Sequence, residues 1–503
     1  MSVIAALLLI IPFAAALAAS AAPARAAQAI SAVAGLASFG LVLALIPDAS
    51  GRGATYFGFV RVDALSVVFL LATSFLYAAV AVYSIGYLRN GRDQEAFFTG
   101  YVRRFCLGLN LFAWSMLAAP LMSNLALLWV AVEVTTVISA LLVAIEGTDH
   151  AAEAAWKYIL IASAGLSLAL LGTIFMYYAG AQVLGQHYSM AFAPLLHAAG
   201  HLPVTPVRMA FVLAVLGFGT KVGLFPVHTW LPDAHSEAPT PVSALLSGSL
   251  LAVSFYAILR YYQVAVGALG PRFPRDVLLV FGVASLLLAA LYLLDQRDYK
   301  RLLAYSSVEH MGILAIGVSF GAPVALAGVL LHVLAHAAAK GNAFMGSGVL
   351  LRKFGSKEIS AVRGGLDLLP WSGPLFLAAI LALCAMPPFG IFRSEFEIVT
   401  GGLAASRNLP AVILVVGVTV AFLGLALAAN RMLLTPARQV NPVRQADLAR
   451  QAAPAHLTRG EPSAWMVVPL AVGLVALLVL GLHPPGELTG LLARAVAQLG
   501  SPA

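Results

Sequence analysis

Long apolar runs separated by short polar joints make up most of the chain. Fourteen stretches are apolar enough to cross a bilayer, which takes about 20 residues of helix. They are 2–22, 28–46, 62–88, 105–122, 124–145, 155–179, 208–227, 241–268, 276–294, 302–320, 322–350, 371–402, 409–434 and 463–482. Continuous runs of this kind predict helices, because a membrane barrel would show short alternating strands. The stretch 185–203, with His187, His197 and His201, mixes polar and apolar residues and is expected outside the apolar core. The Ala/Arg/Gln-rich stretch 435–462 is expected to be a surface helix or a linker. "ALAASAAPARA", around Arg25, has the look of a signal cleavage site. A signal peptide carries a basic region ahead of its apolar run. None precedes Arg25, so a retained first helix is expected.

Composition agrees with a membrane reading. Of 503 residues, 61% are hydrophobic and 10% charged, where a soluble domain has about 25% charged residues. The net charge of +8 therefore reads as basic loops on one side of a membrane, not as a nucleic-acid surface. With the N-terminus outside, eighteen Lys and Arg residues fall in inside loops and eight outside, while Lys221, Lys340 and Arg393 lie in helices or at their breaks. That bias puts both termini outside. Cys106 and Cys384 sit in apolar surroundings without metal or redox spacing and read as small buried residues. There is no Gly-rich phosphate loop, haem motif or Cys cluster, so the chain is expected to hold no cofactor or metal of its own. Any redox centre would belong to another subunit.

Two spans are interrupted by Gly and Pro. One is "GFGTKVGLFPVHTWLPDAHSEAPTP", Gly217 to Pro241; the other is "ALCAMPPFGIFRSEFEIV", with Pro387, Pro388 and Gly390. Corresponding broken helices point to inverted repeats around a midplane ion site. The breaks fall in the seventh and twelfth spans, five apart. This predicts an all-α membrane protein of about fourteen helices, with two inverted five-helix repeats over 105–268 and 276–434, flanked by 1–104 and 435–503. The alternative is two independent kinks. The first break is expected to supply an unwound segment at Gly217–Pro226 with Lys221 at its opening.

An ionisable group at the bilayer centre costs about 2.5–3.5 kcal/mol on insertion scales. Four stand out: Glu133, Lys221, Lys340 and Glu395. Each half offers an acid and a base, which hold each other charged when close and lose charge when a helix movement parts them. Static salt bridges between helices are the competing account. His332, His336 and Lys340, at i, i+4 and i+8, share one helical stripe. His310, beside Glu309, adds another titratable group one helix earlier. Imidazoles that both donate and accept suit a proton wire. A metal site is the alternative, but the stripe shows no fourth ligand. After the first break come His228, Asp233, His235 and Glu237. They form either a proton inlet or a capped turn.

"TKVGLFPVHTWLPDAHSEAPTPVSALLSG" and "DYKRLLAYSSVEHMGI" resemble the antiporter-like membrane subunits of respiratory complex I, of Mrp-type cation/proton antiporters and of membrane-bound hydrogenases. "EAAWKYILIASAGLSLALLGT" and "SSVEHMGIL" are most similar to the hydrogenase-4 component F branch. The resemblance implies fourteen helices in two inverted repeats. It also implies that Glu133 is the family's fifth-span glutamate, that Lys221 serves an input half-channel, Lys340 with its histidines a connection, and Glu395 an output. One departure is Ala252, where many relatives carry a lysine that links the half-channels; Ser247, Ser254 or Tyr256 with water would have to bridge. Gly341-Asn342 is a second departure.

The leading expectation is a proton-translocating subunit of a complex I-like, membrane-bound hydrogenase or related oxidoreductase in a bacterial inner membrane. Electron transfer in soluble redox subunits would drive it, among other membrane subunits. The chain would not be an enzyme alone and would bind no nucleic acid. The alternatives are a subunit of a sodium/proton antiporter, a membrane partner of an inorganic-carbon uptake complex, and a scaffold whose channel is dead.

Overall fold

The computed structural model describes residues 1–49, 53–88, 95–436 and 458–500, with the side chains of 95–97 set aside. Most of the stretch 435–462 and the basic residues Arg52, Arg89, Arg92, Arg438, Arg444 and Arg450 lie outside the described residues. The helices run in order α1 (Ser2–Ala21), α2 (Ala24–Leu45), α3 (Ala64–Tyr87), α4 (Glu95–Ala118), α5 (Leu125–Val143) and α6 (Asp149–Leu184). There follow α7 (Phe192–His197), α8 (Val204–Val222), α9 (Trp230–Glu237), α10 (Thr240–Leu245), α11 (Leu251–Leu269), α12 (Arg272–Leu293), α13 (Tyr299–Phe320) and α14 (Pro323–Phe354). The last are α15 (Gly365–Leu368), α16 (Ser372–Leu383), α17 (Gly390–Ala404), α18 (Asn408–Ala429), α19 (Ala464–Leu482) and α20 (Gly486–Gly500). A two-stranded hairpin, β1 (Ala54–Tyr56) against β2 (Val60–Val62), precedes α3.

Among the described residues, 13 helical segments are long and apolar enough to span a membrane. The expected span 371–402 is present as two shorter helices, α16 and α17, on either side of residues 384–389. The chain is a multi-pass, all-α integral membrane protein. Helix starts follow from local polar caps. Asp63 accepts from the Ser66 amide while Ser66 Oγ receives the Asp63 amide, a reciprocal pair that opens α3. Asn124, Thr148 and Asp298 cap α5, α6 and α13 in the same sense.

The helices form an inner and an outer set. The apolar windows of Thr240–Leu269 and Tyr299–Phe320 are 100% buried inside the protein, and that of Pro323–Phe354 is 89% buried. Those of Ser2–Ala21, Asp149–Leu184, Arg272–Leu293 and Ala464–Leu482 are 33–39% buried. The outer helices, α12 among them, therefore meet lipid with one face, and the polar residues within the apolar windows of α10, α11, α13 and α14 face protein.

The sequence places the first break too early. Helix α8 continues through Lys221 and ends at Gly223, whose φ of 84° closes it in the left-handed region. Gly217 serves packing, not unwinding. A Cβ there would overlap the Ala169 amide and the Gly165 carbonyl of α6. Lys221 is thus held in the last helical turn, and the irregular segment is 223–229. In the stretch 185–203, Phe192 and Leu195 of α7 are buried and α7 packs on α11, so part of it belongs to the core. Gly341-Asn342 gains a physical account. A side chain at Gly341 would overlap Leu76 of α3, and Asn342 Nδ2 donates to the Leu470 carbonyl of α19 at 2.9 Å, close against Gly473. The pair is a seam between α14 and its neighbours.

Candidate functional site

The first half gathers around Lys221, fully buried at the end of α8. Its Nζ donates to Thr136 Oγ1 and, at 3.4 Å, to the Val132 carbonyl of α5. It also stands 5.5 Å from the centre of the Tyr158 ring. Glu133 accepts from Ser163 Oγ of α6 at 3.1 Å, and its second oxygen is buried without a hydrogen-bond partner. Among the described residues no ion pair within 4.0 Å joins Glu133 to Lys221. The two share one turn of α5 as a boundary: Val132 and Thr136, on either side of Glu133, hold the lysine.

The loop motif divides in the structure. Asp233 pairs with Arg301 at 2.7 Å and with Lys157 at 3.4 Å, and Glu237 pairs with Lys357 at 2.8 Å. These acids line cavities of about 210 and 530 Å³. His228 is almost buried, its Nδ1 without a partner. His235, which the sequence places in a loop that is either a proton inlet or a capped turn, is completely buried. Helix α9 turns it inward, because Asp233 and Glu237, two residues to either side, point to the ion pairs at the surface. Its Nδ1 lies 2.8 Å from the Leu231 carbonyl and its Nε2 is unpartnered. Burial pushes the imidazole down to about 3, so the ring is neutral at ordinary pH. It lies between the halves: Tyr158 stacks on Trp230 at 4.4 Å, Trp230 is 6.2 Å from His235, and His235 is 5.6 Å from Phe344 of α14.

At Ala252, α10 and α11 join through a π-turn at Leu246–Leu250, a feature frequent at functional sites. Ala252 itself is buried. Of the bridging residues expected, Ser254 bonds back to the Leu250 carbonyl and Tyr256 is tied to the Pro120 carbonyl and Arg260. Ser247 alone reaches across, 2.7 Å from Ser307 Oγ of α13. Ser307 bonds the Leu303 carbonyl at 3.1 Å, and Lys340 Nζ donates to that same carbonyl at 2.9 Å and to Ser306 Oγ. Hydrogen-bond contacts therefore link the π-turn to Lys340 without a side chain at 252.

The second half is a cluster of imidazoles. His310 Nδ1 is 3.1 Å from His332 Nε2, and His332 Nδ1 is 2.9 Å from Ser394 Oγ on α17. Ser394 Oγ also donates to the Ile391 carbonyl at 2.7 Å. A serine hydroxyl has one proton. Satisfying every contact thus requires His332 to donate from Nδ1, to accept at Nε2, and His310 to donate from Nδ1. His310 Nε2 is left bare, and it is buried without a partner. Glu395 Oε1 stands 3.9 Å from His310 Nδ1. His336 completes the group, 5.2 Å from His310 ring to ring, with both nitrogens unpartnered. Glu309 is buried too, one oxygen unpartnered.

Sequence reasoning missed Ser394, the Ser247–Ser307 contact and the inward turn of His235. Ser394 directly precedes Glu395 in the broken span, a signal that could have been used. It also missed that Glu395, from another helix, closes on the histidines: donor atoms of His310, His332 and Glu395 all lie within 4.8 Å of one another. Cys106 and Cys384 are free and buried, as expected.

Comparison with known proteins gives this arrangement a family. Residues 122–423, which hold every group above from Glu133 to Glu395, match the model described as NADH:quinone oxidoreductase/Mrp antiporter, TM. The hydrogenase-4 component F homolog of Methylacidiphilum infernorum (isolate V4) is 36% identical over 361 residues, covering 70% of this chain and 74% of its own. Hydrogenase-4 component B of Escherichia coli (strain K12) is 31% identical over 349 residues, 67% of this chain and 50% of its own. A chain in the Mrp complex from Dietzia sp. DQ12-45-1b shares the fold, with a TM-score of 0.83 at 22% identity over 100% of this chain and 98% of its own. With a match across the core and relatives of this similarity, the chain belongs to the NADH:quinone oxidoreductase/Mrp antiporter family of antiporter-like membrane subunits.

Proposed function

We propose that the chain is the proton-translocating membrane subunit of a redox-driven, hydrogenase-type complex in a bacterial inner membrane. The observation that carries this reading is the continuous run Ser394–His332–His310 at hydrogen-bond distance, inside helices buried by their neighbours. Buried ionisable groups in a membrane are expensive and mark ion pathways by default. Imidazoles linked nitrogen to nitrogen pass protons by taking one at a bare nitrogen and releasing another. His310 Nε2 is such a receiving atom.

Two half-paths follow. Glu133 and Lys221 form one, Lys340 with His336, His310, His332 and Glu395 the other. His235 and the Ser247–Ser307 contact stand between them. Asp233, Glu237 and His228 serve the inside cavities as an inlet, and a shift of α8 relative to α5 would move Lys221 toward or away from Glu133. The pairing of helices supports two inverted repeats over 105–268 and 276–434: α6 packs on α8 as α14 packs on α17, and α4 on α5 as α12 on α13. The relatives named as hydrogenase components support partner subunits that hold the redox centres.

Sodium/proton exchange is less favoured by the donor set. Sodium wants oxygen ligands, as hard cations do, whereas this site presents mainly imidazole and amine nitrogen. The test is affinity purification of the tagged complex from its host, followed by acidification of inverted vesicles driven by its electron donor. Redox subunits in the eluate and sodium-independent acidification are expected. Small antiporter subunits and sodium-dependent flux would replace this reading with the exchanger.

A further inference from the structure

We propose that His310, His332 and Glu395 form a binding site for a divalent ion of the zinc class. Three observations carry it. The first is distance. A tetrahedral zinc site with metal–nitrogen bonds of about 2.0–2.1 Å has ligand atoms about 3.3 Å apart. His310 Nδ1 lies 3.1 Å from His332 Nε2 and 3.9 Å from Glu395 Oε1. All three donor atoms fall within 4.8 Å of one another. The second is the state of the ligand atoms. Glu395 Oε1 is buried with no hydrogen bond, and His310 Nδ1 and His332 Nε2 bond only each other, while the bare, buried His310 Nε2 can take the proton that Nδ1 gives up. The third is outer support. Metal-bound histidines hand their other N–H to a fixed acceptor. His332 does so, from Nδ1 to Ser394 Oγ, and that oxygen is fixed because its own proton goes to the Ile391 carbonyl.

Binding is chemically simple. The ion takes the Nε2 lone pair of His332 and a carboxylate oxygen of Glu395. His310 turns over its tautomer, its Nδ1 proton moving to the bare Nε2, so that Nδ1 becomes the third ligand. A proton on Glu395, where present, leaves to water. His336, 5.2 Å from His310 ring to ring, stands beside the three-ligand cluster and not in it, so water fills the fourth position. Glu395 and Glu309, once deprotonated, supply the negative charge that favours the ion, and Lys340, two turns on from His332, opposes it when protonated. Imidazole with carboxylate selects zinc-like ions over magnesium or calcium. On the proton-relay reading the ion takes the seat of the shared proton and stops flow; that consequence rests on the proposed function, but binding does not.

The full chain, metal-stripped and in lipid nanodiscs, is titrated with Zn²⁺ against a chromophoric chelator. One zinc equivalent is expected that disappears in Glu395→Gln and in His332→Asn. Ser394→Ala, which keeps every ligand, should weaken it by about 10–100-fold. Co²⁺ bound to the wild-type chain should give the strong visible absorption of a tetrahedral site. Equal zinc binding by wild type and both ligand variants, or only the weak spectrum of octahedral cobalt, overturns the site. A parallel arm adds Zn²⁺ to proton-pumping vesicles. Ligand-dependent binding with undiminished pumping keeps the site and overturns the relay; inhibition without ligand-dependent binding overturns the site.

Discussion

Arg260, midway along α11, sets one guanidinium nitrogen 2.7 Å from both carboxylate oxygens of Asp63, the residue that caps α3. Both side chains are buried, and Arg61 adds a bond to the same carboxylate at 3.0 Å. Gln263, in contact with Arg260, donates to the Gln498 carbonyl of α20. This cluster ties the hairpin, α3, α11 and the C-terminal helix together, apart from the groups proposed to carry protons.

Its pH behaviour follows. Burial by itself would raise the Asp63 carboxyl, but Arg260 and Arg61, with the Ser66 amide, bring it down to about 2 from an ordinary 3.8. A carboxylate whose folded value is depressed stabilises the protein above its unfolded value and loses that contribution as pH falls through the folded one. The shift amounts to about 2–3 kcal/mol. Thermal unfolding in detergent should therefore show a stability loss between about pH 4 and pH 2. Asp63→Asn should remove that slope. It should also lower stability at neutral pH by about 3–5 kcal/mol, since Arg260 is left buried without its partner.

Gly217 and Gly219, two residues apart in α8, should respond in opposite ways. At Gly217 a methyl group meets the backbone of α6, whereas at Gly219 the nearest atom is Leu224 Cδ1 at 3.5 Å. Gly217→Ala should cost about 1–3 kcal/mol by forcing the helices apart. Gly219→Ala should gain about 0.5–1 kcal/mol from helix propensity. Scanning calorimetry or fluorescence unfolding of both variants checks the sign of each.

Ala252→Lys should be poorly tolerated. The position is buried beside the π-turn, and the hydrogen-bond contacts that lead to Lys340 involve Ser247 and Ser307 instead. Overpacking costs about 1–3 kcal/mol, and an inserted charge adds to it. A lower unfolding temperature is expected, while Ser247→Ala should keep the fold and slow proton uptake. Normal stability of Ala252→Lys together with faster uptake would show that the relay wants a lysine there.

Much of this was legible in the residues. Apolar run length reports spans well, because the bilayer imposes it, and even the twelfth, broken span was visible through Pro387-Pro388. Lys221, Lys340, Glu133 and Glu395 stood out because a charge in an apolar run is costly. What depends on tertiary packing was not legible. Gly217 reads the same whether it frees a backbone or admits a neighbouring helix. His235 sits in a polar motif, and only the short helix α9 turns it inward. The cluster of His310, His332 and Glu395 needs three helices brought together, and spacing within one helix could show only the stripe on α14.

The central claim, that protons move along these buried groups with Lys221 as a switch, is tested most directly by Lys221→Ala in the intact complex. Acidification of inverted vesicles, driven by the native electron donor, should fall to background while the complex assembles with all its subunits. Acidification at the wild-type rate would contradict the account.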